Sequence, residues 1–277
     1  MRVRIVDAFT ESAFGGNPAG VVVLEGPDWP EDALLHDVAG ELGLPMTAFA
    51  MPLAGRADAE WGLRWFRTPR AEEPICGHAT LAVGHVLFED RGGEPARDRF
   101  ATQSGVLATE SSADGTVTLD FPAAPVHACD APAGLSEALG ATPEATFAAQ
   151  RVHDVLAVFA DEAAIRALAP GMEPLAALLV REDLRAITAT APADAGAGFD
   201  IVSRFFSPQH GMPEDAVTGS AHTALAPYWC ARLGRNPLRA FQASARGGVL
   251  GVELAGDRVL ISGRAVTVLD GTLSPGR

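Results

Sequence analysis

Residues 64–82, RWFRTPRAEEPICGHATLA, and residues 204–222, RFFSPQHGMPEDAVTGSAH, carry one order of features twice. Each opens on an aromatic, strand-like run: Arg64-Trp65-Phe66-Arg67-Thr68-Pro69 in the first, Arg204-Phe205-Phe206-Ser207-Pro208 in the second. Each then crosses a loop and closes on a glycine-led helix start, Gly77-His78-Ala79-Thr80-Leu81-Ala82 or Gly219-Ser220-Ala221-His222. The spacers differ by a few residues, but the order of strand, loop, glycine, polar residue and helix is kept. That order points to an internal duplication.

Short β-branched runs alternate with helical patterns on either side of these stretches. Residues 2–9 and 19–24 read as strands separated by the turn Gly15-Gly16-Asn17-Pro18. Residues 31–42 place Leu34, Leu35, Val38 and Leu42 at helical spacing and end at Gly43. Strands are expected at 47–53 and 61–67, a helix at 79–88, and three further strands around Arg99, Val106 and Val117. The Pro- and Ala-rich stretch 122–132 marks a boundary, giving halves 1–125 and 126–277, with the final strand a candidate to cross back to the first half. In the second half, strands are expected at 152–159 and 200–207, a helix at 218–233, and strands around Leu238, Val249 and 259–268. Residues 160–198 carry no usable motif, and the last residues, 274–277, read as a frayed tail.

The composition is that of a globular protein, with 48% hydrophobic and 20% charged residues. A net charge of −14 argues against a nucleic acid partner, which needs clustered Lys and Arg. No apolar run reaches the length of a membrane span, and residues 1–9 go straight into a strand-like pattern with no signal segment. Cys76, Cys129 and Cys230 are an odd, widely spaced set that suggests neither a disulfide framework nor a zinc cluster. The expectation is a cytoplasmic protein without metal, away from membranes.

A helix start leaves its first N–H groups unpaired and carries partial positive charge, and glycine there allows close approach to the backbone. Two such starts facing one cleft would grip a small anion, most simply a carboxylate. Gly77, His78, Gly219 and Ser220 are therefore candidate binding residues, and Asp215 lies on the loop just before the second start. For His78 and Asp215 the plain readings are packing and helix capping; Ser220 in a first turn needs no function. Trp61, Trp65 and Trp229 read as core, His222 as a packing or interface residue, and Cys76 as a small buried residue.

At these positions the chain resembles the PhzF family, named for a phenazine-biosynthesis isomerase with a fold similar to that of diaminopimelate epimerase. The matching pieces are VDAFTESAFGGNPAGVVVL, LRWFRTPRAEEPICGHATLA, DIVSRFFSPQHGMPEDAVTGSAHTALAPYW and QASARGG. The resemblance implies an α+β fold of two similar pseudo-symmetric domains, each a mostly antiparallel sheet wrapped around a central helix. It implies an isomerase that moves a proton on a small anionic metabolite without cofactor, with a homodimer as a candidate assembly. It matches His78 to the family's substrate-binding histidine, Asp215 to its polar-site aspartate, and Gly219 and Ser220 to its second helix end.

The family's proton-transferring glutamate falls in a Ser-Glu-Thr-Ala-Phe segment, and Pro45-Met46-Thr47-Ala48-Phe49 stands there instead. A thioether accepts no proton near neutral pH, so the acid–base role passes to Asp215 or His78. On this alignment Met46 faces the cleft opposite Asp215. The competing readings are a non-catalytic binding or regulatory protein and a different reaction in the same cleft.

Overall fold

The computed structural model describes residues 1–67 and 71–274. Thr68 and Pro69 of the first repeat, and Pro275, Gly276 and Arg277 of the tail read as frayed, lie outside the described residues. The chain forms two compact units, Met1–Asp120 together with the chain from Ser262 onward, and Phe121–Ile261.

The first unit holds β1 (Arg2–Ala8), β2 (Asn17–Val23), α1 (Asp32–Leu42), β3 (Met46–Pro52), β4 (Trp61–Arg67) and β5 (Ala71–Glu73). It continues through α2 (Gly77–Asp90), β6 (Arg97–Thr102), β7 (Gly105–Ser111) and β8 (Val117–Pro122), which runs to the boundary. The last strand, Ala265–Thr272, pairs antiparallel with β1, and β1 pairs antiparallel with β2. Strand β2 lies parallel to β3, β3 antiparallel to β4, and β4 parallel to β6 and antiparallel to β5. Antiparallel β6, β7 and β8 follow.

The two-residue period of β3 explains why this sheet is covered on both faces. Met46, Ala48 and Ala50 pack with Ala79, Ala82, Val83 and Val86 of α2, whereas Phe49 and Met51 pack with Leu35, Val38 and Ala39 of α1. Helix α1 is one-sided and ends as read, with Gly43 in the left-handed conformation. Helix α2 is different: every residue from His78 to Leu87 is buried. A helix apolar all round belongs inside a core rather than on its surface.

The second unit holds β9 (His127–Ala128), α3 (Leu135–Leu139), β10 (Ala145–Ala149), β11 (Asp154–Val158), α4 (Glu162–Ala167), α5 (Met172–Arg181) and β12 (Ala186–Pro192). It continues through β13 (Ile201–Ser207), β14 (Met212–Asp215), α6 (Gly219–Leu233), β15 (Leu238–Gln242), β16 (Gly248–Ala255) and β17 (Arg258–Gly263). Its pairing repeats that of the first unit. Strands β10 and β11 are antiparallel, β11 and β12 parallel, β12 and β13 antiparallel, β13 and β15 parallel, and β15 and β16 antiparallel. Strand β14 sits on β13 as β5 sits on β4.

The register turns this likeness into residue equivalence. Thr47 lies opposite Phe66, and Ile187 opposite Phe206. Arg64 grips Glu72 through Nε and Nη2 at 2.8 and 2.7 Å, and Arg204 grips Glu214 through the same atoms at 2.7 and 2.9 Å. Each guanidinium stands 5.0 Å over a ring, Phe66 or Phe206. A bidentate pair and a stacked ring repeated at matched positions are what a duplicated chain leaves behind.

One sequence reading needs correction. The stretch before the second helix start is not all loop: 212–215 pairs antiparallel with β13, so Asp215 ends a strand opposite Phe205. The short polar run Met-Pro-Glu-Asp has no strand pattern of its own and is extended by its neighbour. Residues 160–198, which carry no usable motif, supply α4, α5 and the buried strand β12.

Gly84 lets α2 lie close on the sheet. A Cβ there would stand 2.9 Å from Val117 Cγ1 and 3.0 Å from Thr109 Oγ1, both on short, stiff side chains. Replacement Gly84→Ala is expected to destabilise the protein by about 1–3 kcal/mol through overpacking, despite the better helix propensity of alanine. Urea unfolding checks this; a variant as stable as the parent would show that α2 has room to move.

Candidate functional site

The start of α2 is built from Cys76, Gly77 and His78. Cys76 is the N-cap, and no side chain caps the first amides of the helix. The Cys76 carbonyl is taken by Thr80, whose N–H and Oγ1 donate to it at 3.1 and 2.6 Å. His78 is buried, with Nδ1 3.5 Å from Cys76 Sγ. Burial pulls its pKa down to about 4, so the imidazole is neutral at pH 7 and acts there as a hydrogen-bonding group. Met46 opens β3 beside Ala19 and is buried in the same apolar cluster as Cys76 and Ala79. The loop entering β2 is tight. Phe14 has φ 71° and donates its N–H to Asp7 Oδ2 at 2.7 Å, while a Cβ on Gly16 would stand 2.1 Å from the Ala8 carbonyl.

The start of α6 is likewise uncapped by any side chain, with Thr218 at the N-cap. Here a fully buried amide braces the approach. Gln242 Oε1 accepts from Thr218 N at 2.8 Å, and Nε2 donates to the Asp215 carbonyl at 2.8 Å and to Thr218 Oγ1 at 3.2 Å. Thr218 Oγ1 in turn donates to Asp215 Oδ2. Ser244 Oγ donates to the Ala216 carbonyl at 2.7 Å and accepts from Gly247 N at 3.1 Å. The QASARGG stretch therefore holds residues 215–218 in place. The result is a buried carboxylate fixed beside an uncapped helix start.

Ser220, in the first turn of α6, accepts from Arg185 Nη1 at 2.9 Å. Arg185 is clasped by Asp154, whose side chain is wholly buried: Nε donates to Oδ1 at 2.9 Å and Nη2 to Oδ2. Burial pushes the Asp154 carboxyl up to about 6 despite the opposing pull of Arg185. His222 is a packing residue with no exposure; its Nδ1–H donates to the Thr218 carbonyl at 2.8 Å. Burial lowers its pKa to about 4.

Within each unit the structure thus gathers predicted residues: Met46, Gly77 and His78 in the first, Asp215, Gly219 and Ser220 in the second. Gln242, Arg185 and Asp154 were missed. Gln242 had a signal, because it leads the QASARGG motif; Arg185 and Asp154 sit one residue outside a strand and at the end of another, with no motif around them. Of the tryptophans read as core, Trp65 and Trp229 are buried, while Trp61 is partly buried. Among the described residues no His, Cys, Asp and Glu group is arranged to hold a metal, and no helix is long and apolar enough to cross a membrane.

The family model described as phenazine biosynthesis-like protein, PhzC-PhzF, matches residues 6–271. The chain belongs to the PhzF family. An uncharacterized isomerase of Pseudomonas aeruginosa is 44% identical over 268 residues, covering 97% of this chain and 96% of that one. A solved PhzF-family structure from Enterococcus faecalis is 36% identical with a TM-score of 0.87, covering 98% of this chain and 97% of that one. A hydroxyproline epimerase from Agrobacterium vitis, 14% identical with a TM-score of 0.60 over 98% of this chain and 91% of its own, shares the fold. The PhzF chain thus has an α+β fold, shared with that epimerase.

The depressed histidine in α6 makes a measurable contribution to pH dependence. His222 titrates at 6.5 when unfolded and about 4 when folded, so the unfolded state binds the extra proton and stability falls as pH drops through that window. Replacement His222→Gln removes this share. The stability of the parent relative to the variant is expected to fall by about 2 kcal/mol between pH 7 and pH 4.5 in urea titrations. Parallel curves would show that His222 is not held neutral by the fold.

Proposed function

We propose that this PhzF-family chain is an isomerase that moves a proton on a small carboxylate-bearing metabolite, with Asp215 as its acid–base group. Gly77, His78, Gly219 and Ser220 are the proposed ligand-binding residues. The observation that carries this reading is the fixed carboxylate of Asp215 beside the uncapped start of α6. A general base must be held where it works, and Gln242 and Thr218 do that for Asp215. Uncapped amides at both starts suit a carboxylate ligand. His78, neutral at pH 7, orients the ligand by hydrogen bonding and is the second candidate for proton transfer.

Proton transfer of this kind requires side chains alone, so the proposal names no cofactor. Met46 supports a second reading. A thioether stands where the family resemblance places a glutamate, and loss of that base would leave a binding or regulatory protein with its ligand contacts intact.

The two readings separate in deuterium oxide with a panel of cyclic unsaturated carboxylic acids, followed by NMR for solvent deuterium incorporation. The isomerase reading expects exchange in the parent, and a loss of about a hundredfold or more in Asp215→Asn, the scale of general acid–base catalysis. Exchange that survives Asp215→Asn removes the role from Asp215. No exchange in the parent, with gain in Met46→Glu, establishes the binding protein instead.

A further inference from the structure

Ser220 is a first-turn serine with no evident structural task, yet the second half devotes to it an arginine held by a wholly buried carboxylate. Arg185 stands immediately before β12, and Asp154 opens β11 opposite Ala186. The arginine is fixed at every level. Its carbonyl accepts from Ser207 Oγ at 2.9 Å and Gln209 Nε2 at 2.7 Å, and its Nε also donates to the Val152 carbonyl at 2.9 Å. Its guanidinium stands 5.1 Å over the Phe205 ring, and Asp154 takes one edge, leaving Nη1 to reach Ser220 Oγ.

The fold does not require this cluster. Ala19 opposes Met46 in the first half as Asp154 opposes Ala186 in the second, so Ala19 and Pro45 occupy the matching positions there. The charged pair is a specialisation of one repeat.

A guanidinium is a donor only, so its bond to Ser220 uses the hydroxyl oxygen as acceptor and leaves the hydroxyl proton to go elsewhere. A helical serine ordinarily donates back to the carbonyl four residues earlier. Here Ser244 Oγ donates to that carbonyl, on Ala216, and Ser220 makes no such bond. Among the described residues no acceptor takes the Ser220 proton. Ser220 thus offers an unspent O–H, polarised by a cation, beside the uncapped amides of α6.

We propose that Arg185 is a positioning residue that commits the Ser220 hydroxyl to donating to an anionic ligand group, and so makes the second half select carboxylates over neutral analogues. This rests on Ser220 being a ligand contact, as argued under the proposed function. Asp154 holds the guanidinium in the plane that reaches Ser220, and a lysine, lacking the planar fork, holds it less well.

Calorimetry with benzoate and its neutral isostere benzamide tests this. Because Arg185→Gln alone strands a buried carboxylate, the variant used is the pair Asp154→Asn with Arg185→Gln; Arg185→Lys serves as the second variant. The parent is expected to prefer benzoate. Ser220→Ala and the paired variant should each weaken benzoate by about tenfold, one charge-assisted hydrogen bond, while benzamide is unchanged. Adding Ser220→Ala to the paired variant should cost nothing more, and Arg185→Lys should lose benzoate affinity by less than the paired variant. Loss of benzoate preference in Ser220→Ala but not in the paired variant or Arg185→Lys overturns the role of Arg185. Equal loss of both ligands in these variants reduces the cluster to a structural one. A parent without preference, or an unaffected Ser220→Ala, refutes the ligand role of Ser220 itself.

Discussion

Each half is built around a helix buried along most of its length, and such a helix must satisfy internally whatever polar groups it carries. Helix α2 is buried from His78 through Leu87, and α6 from Ala221 through Ala226 and again at Trp229. The sequence meets this with small residues, alanine and glycine, where the sheet comes close, as at Gly84 against Thr109 and Val117. It returns side-chain polar groups to the backbone or the sheet: Thr80 to the Cys76 carbonyl, His222 to the Thr218 carbonyl, and Trp229 Nε1 to Thr190 Oγ1 at 3.0 Å. Only the first amides of each helix are left without a side-chain cap. By contrast, the short helix α4 has an aspartate cap, Asp161 accepting from Ala164 N at 2.8 Å. Helices α1, α3 and α5 also start without a side-chain cap, so what sets α2 and α6 apart is burial along most of their length.

From that shared plan the halves diverge in charge. Among the described residues, the first groups Met46, Ala19 and Cys76 in one apolar cluster at its helix start, next to a neutral His78. The second brings Asp215, Arg185 and Asp154 to its start, where Gln242 braces Asp215 and Thr218. The pair has a cost: burial raises the Asp154 carboxyl to about 6, so above that pH its ionised form carries the full desolvation penalty and lowers the stability of the fold. Burial of an ion pair is poor economy for stability alone, which is why its contact with Ser220 matters.

The repeat was legible because its markers are local. Arg64 and Arg204 each lie two residues before the phenylalanine they cover, and each glycine directly follows its N-cap residue. The buried helices were legible in existence but not in surroundings, so the neutrality of His78 could not be foreseen; it depends on a sheet assembled from distant strands. The sequence puts Asp215 just before the helix start but carries no strand pattern there, because its extended geometry is imposed by pairing with Phe205. Arg185 and Asp154 were invisible for a stronger reason. They meet through a parallel pairing of β11 with β12 that no periodicity predicts, with two helices between them in the chain. The family resemblance named the residues of the motifs, and it is silent where the middle segment carries no motif.

The central claim is that the uncapped start of α6 is a ligand site rather than an unused helix end. Backbone amide NMR during titration with benzoate reads this directly, residue by residue. The account predicts that the amides of Gly219, Ser220 and Ala221 shift and saturate together with benzoate, and stay still with benzamide. Saturable shifts confined to other parts of the chain, or equal responses to the two compounds, would contradict it.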